Sequence, residues 1–331
     1  CIRRYCEMNN DLKPALLQVP VLLIFFTRPD TFKEVFAKVK EARPKQLFLA
    51  CDGSRADHPQ DAQRIAQCKQ IAEDIDWECE VHQNYAEDNM GCGMRPQTAI
   101  SWAFESVDSL IILEDDCVPH PSFFPFMEEM MLRYQDDERI GVICGFNHFL
   151  NWDCGEYSYF YTTNGPLAGA WGTWKRVWEH YDYTLSDMKS PLVQQLIYNS
   201  ITFKRAKQKK VDLFLKTAEK IESGENISYW DVQFGYLKLT QSILSVVPRF
   251  SLVSNIGLGA GSTHAQNAKN AMPSIFFSEE RKLDFPLRHP PFVICDRKYD
   301  DTVDAKWGYP HPLKKNFYRV VRLIKRILRV G

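Results

Sequence analysis

Four short, largely apolar runs set the tightest limit on how this chain can fold: Val21–Phe26, Gln46–Ala50, Leu110–Leu113 and Ile140–Cys144. A run that is apolar at successive positions, without alternation, predicts a strand covered on both faces, as in a parallel sheet. Helical periodicity fills the gaps between the runs. Phe32, Val35, Phe36 and Val39 form one stripe, Ile65, Cys68, Ala72 and Ile75 a second, and Ile100, Ala103, Phe104 and Val107 a third. Asp30 is placed to cap the first helix, and Pro96 is expected in the first turn of the third. A further strand is expected near Cys79–Gln83, and a helix from Ser122 to Tyr134. Repeated βα units of this kind predict an α/β fold with a mainly parallel, doubly wound central sheet.

The second half is less regular. Trp171–Tyr181 is rich in aromatic residues, 191–222 predicts a long charged helix or a helical pair, and 228–241 another helix. A strand is expected at 243–247, whereas 265–312 is rich in proline and charge and has little pattern. No internal repeat is visible.

Composition narrows the function classes. With 41 basic and 42 acidic residues the net charge is -1, so a global nucleic-acid footprint is missing and no nucleic-acid partner is expected. No run approaches the roughly 20 apolar residues that span a bilayer. Val19–Phe26 is short, is interrupted by Pro20, and predicts a buried strand rather than a signal peptide. The first residue is Cys1, which leaves open a fragment or processed form with an anchor upstream. The ten cysteines contain no C-x-x-C, and Cys51, Cys117 and Cys144 sit in or beside apolar runs. Reduced, cytosolic thiols are expected, with a disulfide-bonded lumenal enzyme as the alternative; zinc-ligand spacing is missing.

Ligands of open α/β sheets bind at the carboxyl ends of strands. Thr27-Arg28, Asp52 and Glu114-Asp115-Asp116 each follow one of the apolar runs, so three strands deliver polar groups to one edge. Three successive carboxylates repel one another unless a cation or hydrogen bonds compensate. Mg²⁺ or Mn²⁺ would relieve the repulsion and bridge to a diphosphate, since hard cations take carboxylate and phosphate oxygens. A solvated acidic turn ahead of the next helix is the bland alternative.

The segment Ile111-Ile112-Leu113-Glu114-Asp115-Asp116-Cys117-Val118-Pro119, followed by Phe123-Phe124, resembles the donor-site signature of inverting GT-A glycosyltransferases. It is most similar to the N-acetylglucosaminyltransferase I family and bacterial family 2-like sugar transferases. The resemblance covers roughly residues 19–265. It implies a GT-A, Rossmann-like nucleotide-diphospho-sugar transferase fold, a UDP-sugar as co-substrate and a divalent metal held by Asp116, with Glu114 and Asp115 in ribose and supporting contacts. Thr27 and Arg28 stand where such enzymes place an Arg near uracil and diphosphate, and Asp52 where a carboxylate receives the uracil ring. Asn89–Arg95 resembles the loop over the nucleotide. Arg95 is a candidate phosphate ligand or an ordinary surface arginine.

Gly169-Ala170-Trp171-Gly172-Thr173-Trp174 is similar to the family's Gly-Trp segment, which implies Trp171 in the site; Trp174 and Trp178 are assigned to packing. Tyr229-Trp230-Asp231 matches a Trp-Asp pair in which the aspartate is the catalytic base, although Asp231 also suits the first turn of a helix. Ser254–Gly257 through Ser262-Thr263-His264 resembles a flexible Gly-rich loop closing over the donor, with His264 toward the diphosphate or merely structural. The implied organisation is an N-terminal extension (1–18), a donor half (19–150), an acceptor and catalytic half of the same domain (151–265), an irregular segment (266–312) and a basic amphipathic helix (313–331).

In that last helix Phe317, Val320, Val321, Ile324, Ile327 and Leu328 share a face and the basic residues lie off it. Residues 314–329 therefore predict an anchor on an anionic membrane surface, the alternative being a terminal helix packed on the domain. The expectation from sequence is a glycosyltransferase of the hexosyl or N-acetylhexosaminyl class. It would work with inversion on a glycan or lipid-linked acceptor, at the inner face of the membrane, in surface-polysaccharide synthesis. The rivals are a sugar-nucleotide nucleotidyltransferase and a non-catalytic carbohydrate-binding protein.

Overall fold

The computed structural model describes residues 2–4, 12–167, 169–257 and 281–308. The expected alternation is present: β1 (Ile2–Arg4), β2 (Val21–Phe25), α1 (Pro29–Ala42), β3 (Gln46–Cys51), α2 (Asp61–Ala72), β4 (Glu80–Tyr85), α3 (Gly91–Ala103), β5 (Ser109–Glu114). It continues through β6 (Cys117–Pro119), α4 (Phe123–Arg133), β7 (Ile140–Cys144), β8 (Tyr159–Thr162), β9 (Ala170–Trp174) and α5 (Lys175–Trp178). The later elements are α6 (Pro191–Ser200), α7 (Lys207–Glu222), α8 (Asp231–Thr240), β10 (Leu244–Pro248), β11 (Val253–Asn255) and α9 (Arg297–Val303).

Nine strands form one sheet in the order β1-β4-β3-β2-β5-β9-β7-β10-β8. β4, β3, β2, β5, β7 and β10 run in one direction, and β1, β9 and β8 against it. The fold is thus mixed α/β with a mainly parallel, Rossmann-like sheet. Every residue of β2 and β7 is buried, which is why their sequences lack alternation. Residues 2–4 pair with β4 and extend the sheet, so this part of the supposed extension belongs to the domain.

Two local expectations are corrected and one unassigned segment gains a place. Pro29 opens α1 behind Arg28, so Asp30 lies in the first turn and does not cap it. α3 begins at Gly91, which places Pro96 inside the helix. The aromatic segment 170–174 is a strand, β9, wedged antiparallel between β5 and β7. Gly172 makes this possible: a Cβ there would meet Met127 and Met131 of α4 at 2.8 Å. The methionines therefore lie flat on the strand.

The segment 191–222 is the helical pair α6 and α7. It has its own small core of Leu185, Met188, Ile197, Ile201, Ala206, Val211, Phe214 and Ala218, closed by Tyr236 of α8. The eight described cysteines are all unbridged, five of them buried. No described helix is long and apolar enough to cross a membrane.

Candidate functional site

The chain leaves β2 toward β3 on one side, while β5 pairs with β2 on the other. This is the topological switch point, where the open crevice at the carboxyl end of a parallel sheet is found. Ile24 of β2 lies in register with Glu114 of β5, so Arg28 and the acidic triplet emerge side by side at that crevice.

Arg28 spans two of the carboxylates. Its Nη1 donates to Asp116 Oδ2 at 2.7 Å and its Nη2 donates to Asp115 Oδ1. The Phe26 N–H donates to the other Asp115 oxygen at 3.0 Å. Asp115 and Asp116 are buried, and Thr27 is buried beside them. Burial works against the charge on Arg28, but the two carboxylates prevail and hold its pKa above the usual range. One guanidinium cannot balance three carboxyl groups. Burial, then Asp116 and Asp115, push Glu114 up to about 8. Asp115 is pushed up to about 6 by burial, with Arg28 opposing.

The far wall is built from sequence that lies 139 residues further on. β11 pairs antiparallel with β6, setting Asn255 opposite Cys117. Asn255 Nδ2 donates to Asp116 Oδ1 at 3.2 Å, and the Ile256 N–H donates to the Asp116 carbonyl at 2.8 Å. A Cβ on Gly257 would stand 2.1 Å from Asp116 Oδ2 and 2.8 Å from Arg28 Nη1, so only glycine fits. The start of the expected flexible loop is therefore clasped onto the triplet. Gly169 closes another side: its φ is +62°, and a Cβ there would meet Cys117 Sγ at 2.4 Å. Sequence reasoning passed over Asn255 and Gly169 because neither belongs to the acidic motif; Gly257 and the Gly-Trp segment were the available signals.

Asp52 has a different role from the one expected. Its Oδ1 accepts from the Gly53 and Met90 N–H groups at 3.0 and 2.8 Å, and its Oδ2 from Asn89 Nδ2 and the Gly91 N–H at 3.0 and 2.9 Å. Two carboxylate oxygens offer about four acceptor sites, and all are used. Asp52 thus fixes the loop that starts α3 and has no acceptor left for a uracil ring. Arg95 is buried and so is no ordinary surface arginine; its Nη2 donates to the Asn84 carbonyl and side chain at 2.5 and 3.1 Å, which ties α3 to β4, while its buried Nε makes no hydrogen bond.

Trp171 is fully buried, stacked on Trp230 with ring centres 5.5 Å apart and edge-on to Phe234. It supports the Trp-Asp pair from below and offers no free face to a sugar. Trp230 is also buried, whereas Asp231, the first residue of α8, is exposed. The charge of Asp231 reaches Glu114, adding to the upward push on its pKa, and reaches Tyr181 as well. α3 locks this region in place: a Cβ on Gly93 would stand 2.0 Å from the Ile227 carbonyl, and Cys92 Sγ donates to the Ser228 carbonyl. The charge of Asp231 thus acts on the triplet although the two lie far apart in sequence.

Among the described residues no group of three or more His, Cys, Asp or Glu converges as a metal cage. A cation at the triplet would take one or two carboxylates and complete its shell with phosphate and water, the usual Mg²⁺ arrangement. The chemistry of the donor set fits a hard cation, since Arg28 already stands as a cation against Asp116. His264 and the helix 314–329 lie outside the described residues.

No protein-family model and no curated protein matches the chain. Solved structures do match, among them a UDP-glucose pyrophosphorylase complexed with UDP-glucose. It is 12% identical, covers 49% of this chain and 79% of its own, and superposes with a TM-score of 0.28. A likeness at that level carries no argument about the site.

Proposed function

We propose that this protein is a glycosyltransferase that moves a sugar from a UDP-sugar to a glycan or lipid-linked acceptor, with inversion. The observation that carries the proposal is the under-compensated triplet at the switch point, with the Asp231 charge acting on the same Glu114. Asp116 would hold a divalent ion, Mn²⁺ or Mg²⁺, together with the donor diphosphate. When bound, that ion supplies charge stabilisation to a departing diphosphate. Arg28 is placed to offer its fork to a phosphate once Asp116 is otherwise engaged. Asp231 accepts the proton of the acceptor hydroxyl as its oxygen attacks the anomeric carbon, and its exposure leaves it open to an incoming acceptor. Asp52 fixes the loop that starts α3, and Asn255 braces Asp116 from β11.

Nucleotidyl transfer is the competing enzyme class and would use the same crevice. It releases pyrophosphate, whereas glycosyl transfer releases UDP. Calorimetry of UDP with and without Mn²⁺, followed by a donor screen for UDP release, tests the proposal. Binding of UDP that ignores Mn²⁺, or release of pyrophosphate from UTP and a sugar 1-phosphate with no UDP released from any sugar nucleotide, would overturn it.

A further inference from the structure

The helical pair that rides on α8 has an outer surface unlike the rest of the molecule. Between Asp187 and Asp212 there is no acidic residue, yet Lys189, Lys204, Arg205, Lys207, Lys209 and Lys210 all fall there, in a chain whose net charge is -1. Lys189 pairs with Glu222 at 2.6 Å and Lys210 approaches Asp304 at 3.7 Å, so Lys204, Arg205, Lys207 and Lys209 give the face its charge. α6 itself carries no charge. Its inner side, led by Ile197, closes the small core, while Leu192 and Leu196, one turn apart, are 67% and 59% exposed. Tyr198 is also exposed, with Lys207 Nζ 5.1 Å from its ring centre, so the uncharged helix and the basic stretch meet. Lys204, Arg205 and Lys209 are exposed on the connection and the first turn of α7.

We infer that this face docks on an anionic lipid surface. Leucines one turn apart on an uncharged helix can enter the acyl boundary, a tyrosine suits the interface, and long basic side chains reach anionic headgroups. A second copy of the chain is a poor occupant: a twofold contact would set the same acid-free stretch against itself. Tyr236 of α8 closes the core of the helical pair, and α8 begins at Asp231, so the docking face and Asp231 are joined through a single helix.

Sedimentation of the full chain with phosphatidylcholine vesicles, with and without phosphatidylglycerol, tests this. The wild type should bind only the anionic vesicles. Leu192→Gln with Leu196→Gln should weaken binding at least about tenfold. Neutralising Lys204, Arg205, Lys207 and Lys209 to Gln should weaken it by roughly 100-fold or more, at about 5-fold per cation. All these side chains are surface residues outside the crevice, so UDP binding in solution should be unchanged in both variants, and its loss would speak to the fold and not to docking. Vesicle binding equal to wild type in both variants, or none in the wild type, overturns the inference without touching the proposed function. So does a change in oligomeric state on replacing the leucines, which would mean that the face is closed by another copy or protein.

Discussion

Asp52 and Asp116 end neighbouring parts of the same sheet, and both are buried carboxylates at the edge where ligands bind. Asp52 accepts four hydrogen bonds from a loop that closes over it. The group around Asp116 has one guanidinium for three carboxyl groups, and burial, with Asp116 and Asp115 adding to it, raises the Glu114 pKa. Position at a strand end is therefore not enough to mark a site. What separates the two is whether the protein itself completes the electrostatics. Where it does, the carboxylate is architecture; where it does not, the carboxylate is the better candidate for a ligand.

The sharpest break of that comparison is Asp116→Ala, which should abolish Mn²⁺-dependent UDP binding and lower turnover by about 10³-fold or more while the thermal transition survives. Asp231→Asn should leave UDP binding intact and lower turnover by roughly 10²–10⁴-fold. Near-normal turnover in either variant would remove that residue from the chemistry. Asp52→Ala should do the reverse. It strands the N–H groups of Gly53, Met90 and Gly91, for a loss of about 3 kcal/mol in denaturant unfolding. A fall in UDP affinity with unchanged stability would instead restore Asp52 to the binding surface.

Smaller effects probe the imbalance itself. Arg28→Met removes the cation now held by Asp115 and Asp116, so Mn²⁺ alone should bind about tenfold tighter by paramagnetic titration, since roughly 1.4 kcal/mol of competition corresponds to tenfold. Unchanged Mn²⁺ affinity would mean that Arg28 does not compete for the place. The least effect is on the pH dependence of stability in chelator. The Glu114 pKa is raised in the fold to about 8 from 4.5, so the folded state binds the extra proton between those values. Its contribution is fully present below about 4.5 and is lost as pH rises through about 8. Glu114→Gln should flatten that decline in the melting temperature, and an unaltered slope would show that the charge is already balanced.

Much of the fold could be read in the chain. Unbroken apolar runs such as Leu110–Leu113 allow little but a covered strand, and the carboxyl-end rule then places Arg28 and the triplet on one edge. β9 was missed because a strand of Trp and Gly has neither alternation nor an aliphatic run; its place depends on Gly172 meeting the α4 methionines. Within the site, Arg28 was found by its position after β2, but its pairing with Asp115 and Asp116 was not, since the partners are nearly ninety residues away. The burial of Trp171 and of Arg95 escapes the sequence for a common reason. An aromatic ring or a guanidinium has the same letters whether it faces a ligand or the core.

The order of residues alone thus determined the layered α/β architecture and the edge that collects polar groups, because burial and periodicity act over a few residues at a time. Only the assembled molecule decided which of those groups are already satisfied. That question turns on donors brought in from elsewhere: the Met90 and Gly91 N–H groups reach Asp52, while the Asn255 side-chain amide arrives at Asp116 from the other end of the domain. Saturation of a carboxylate is a property of distances, and local pattern contains none of these.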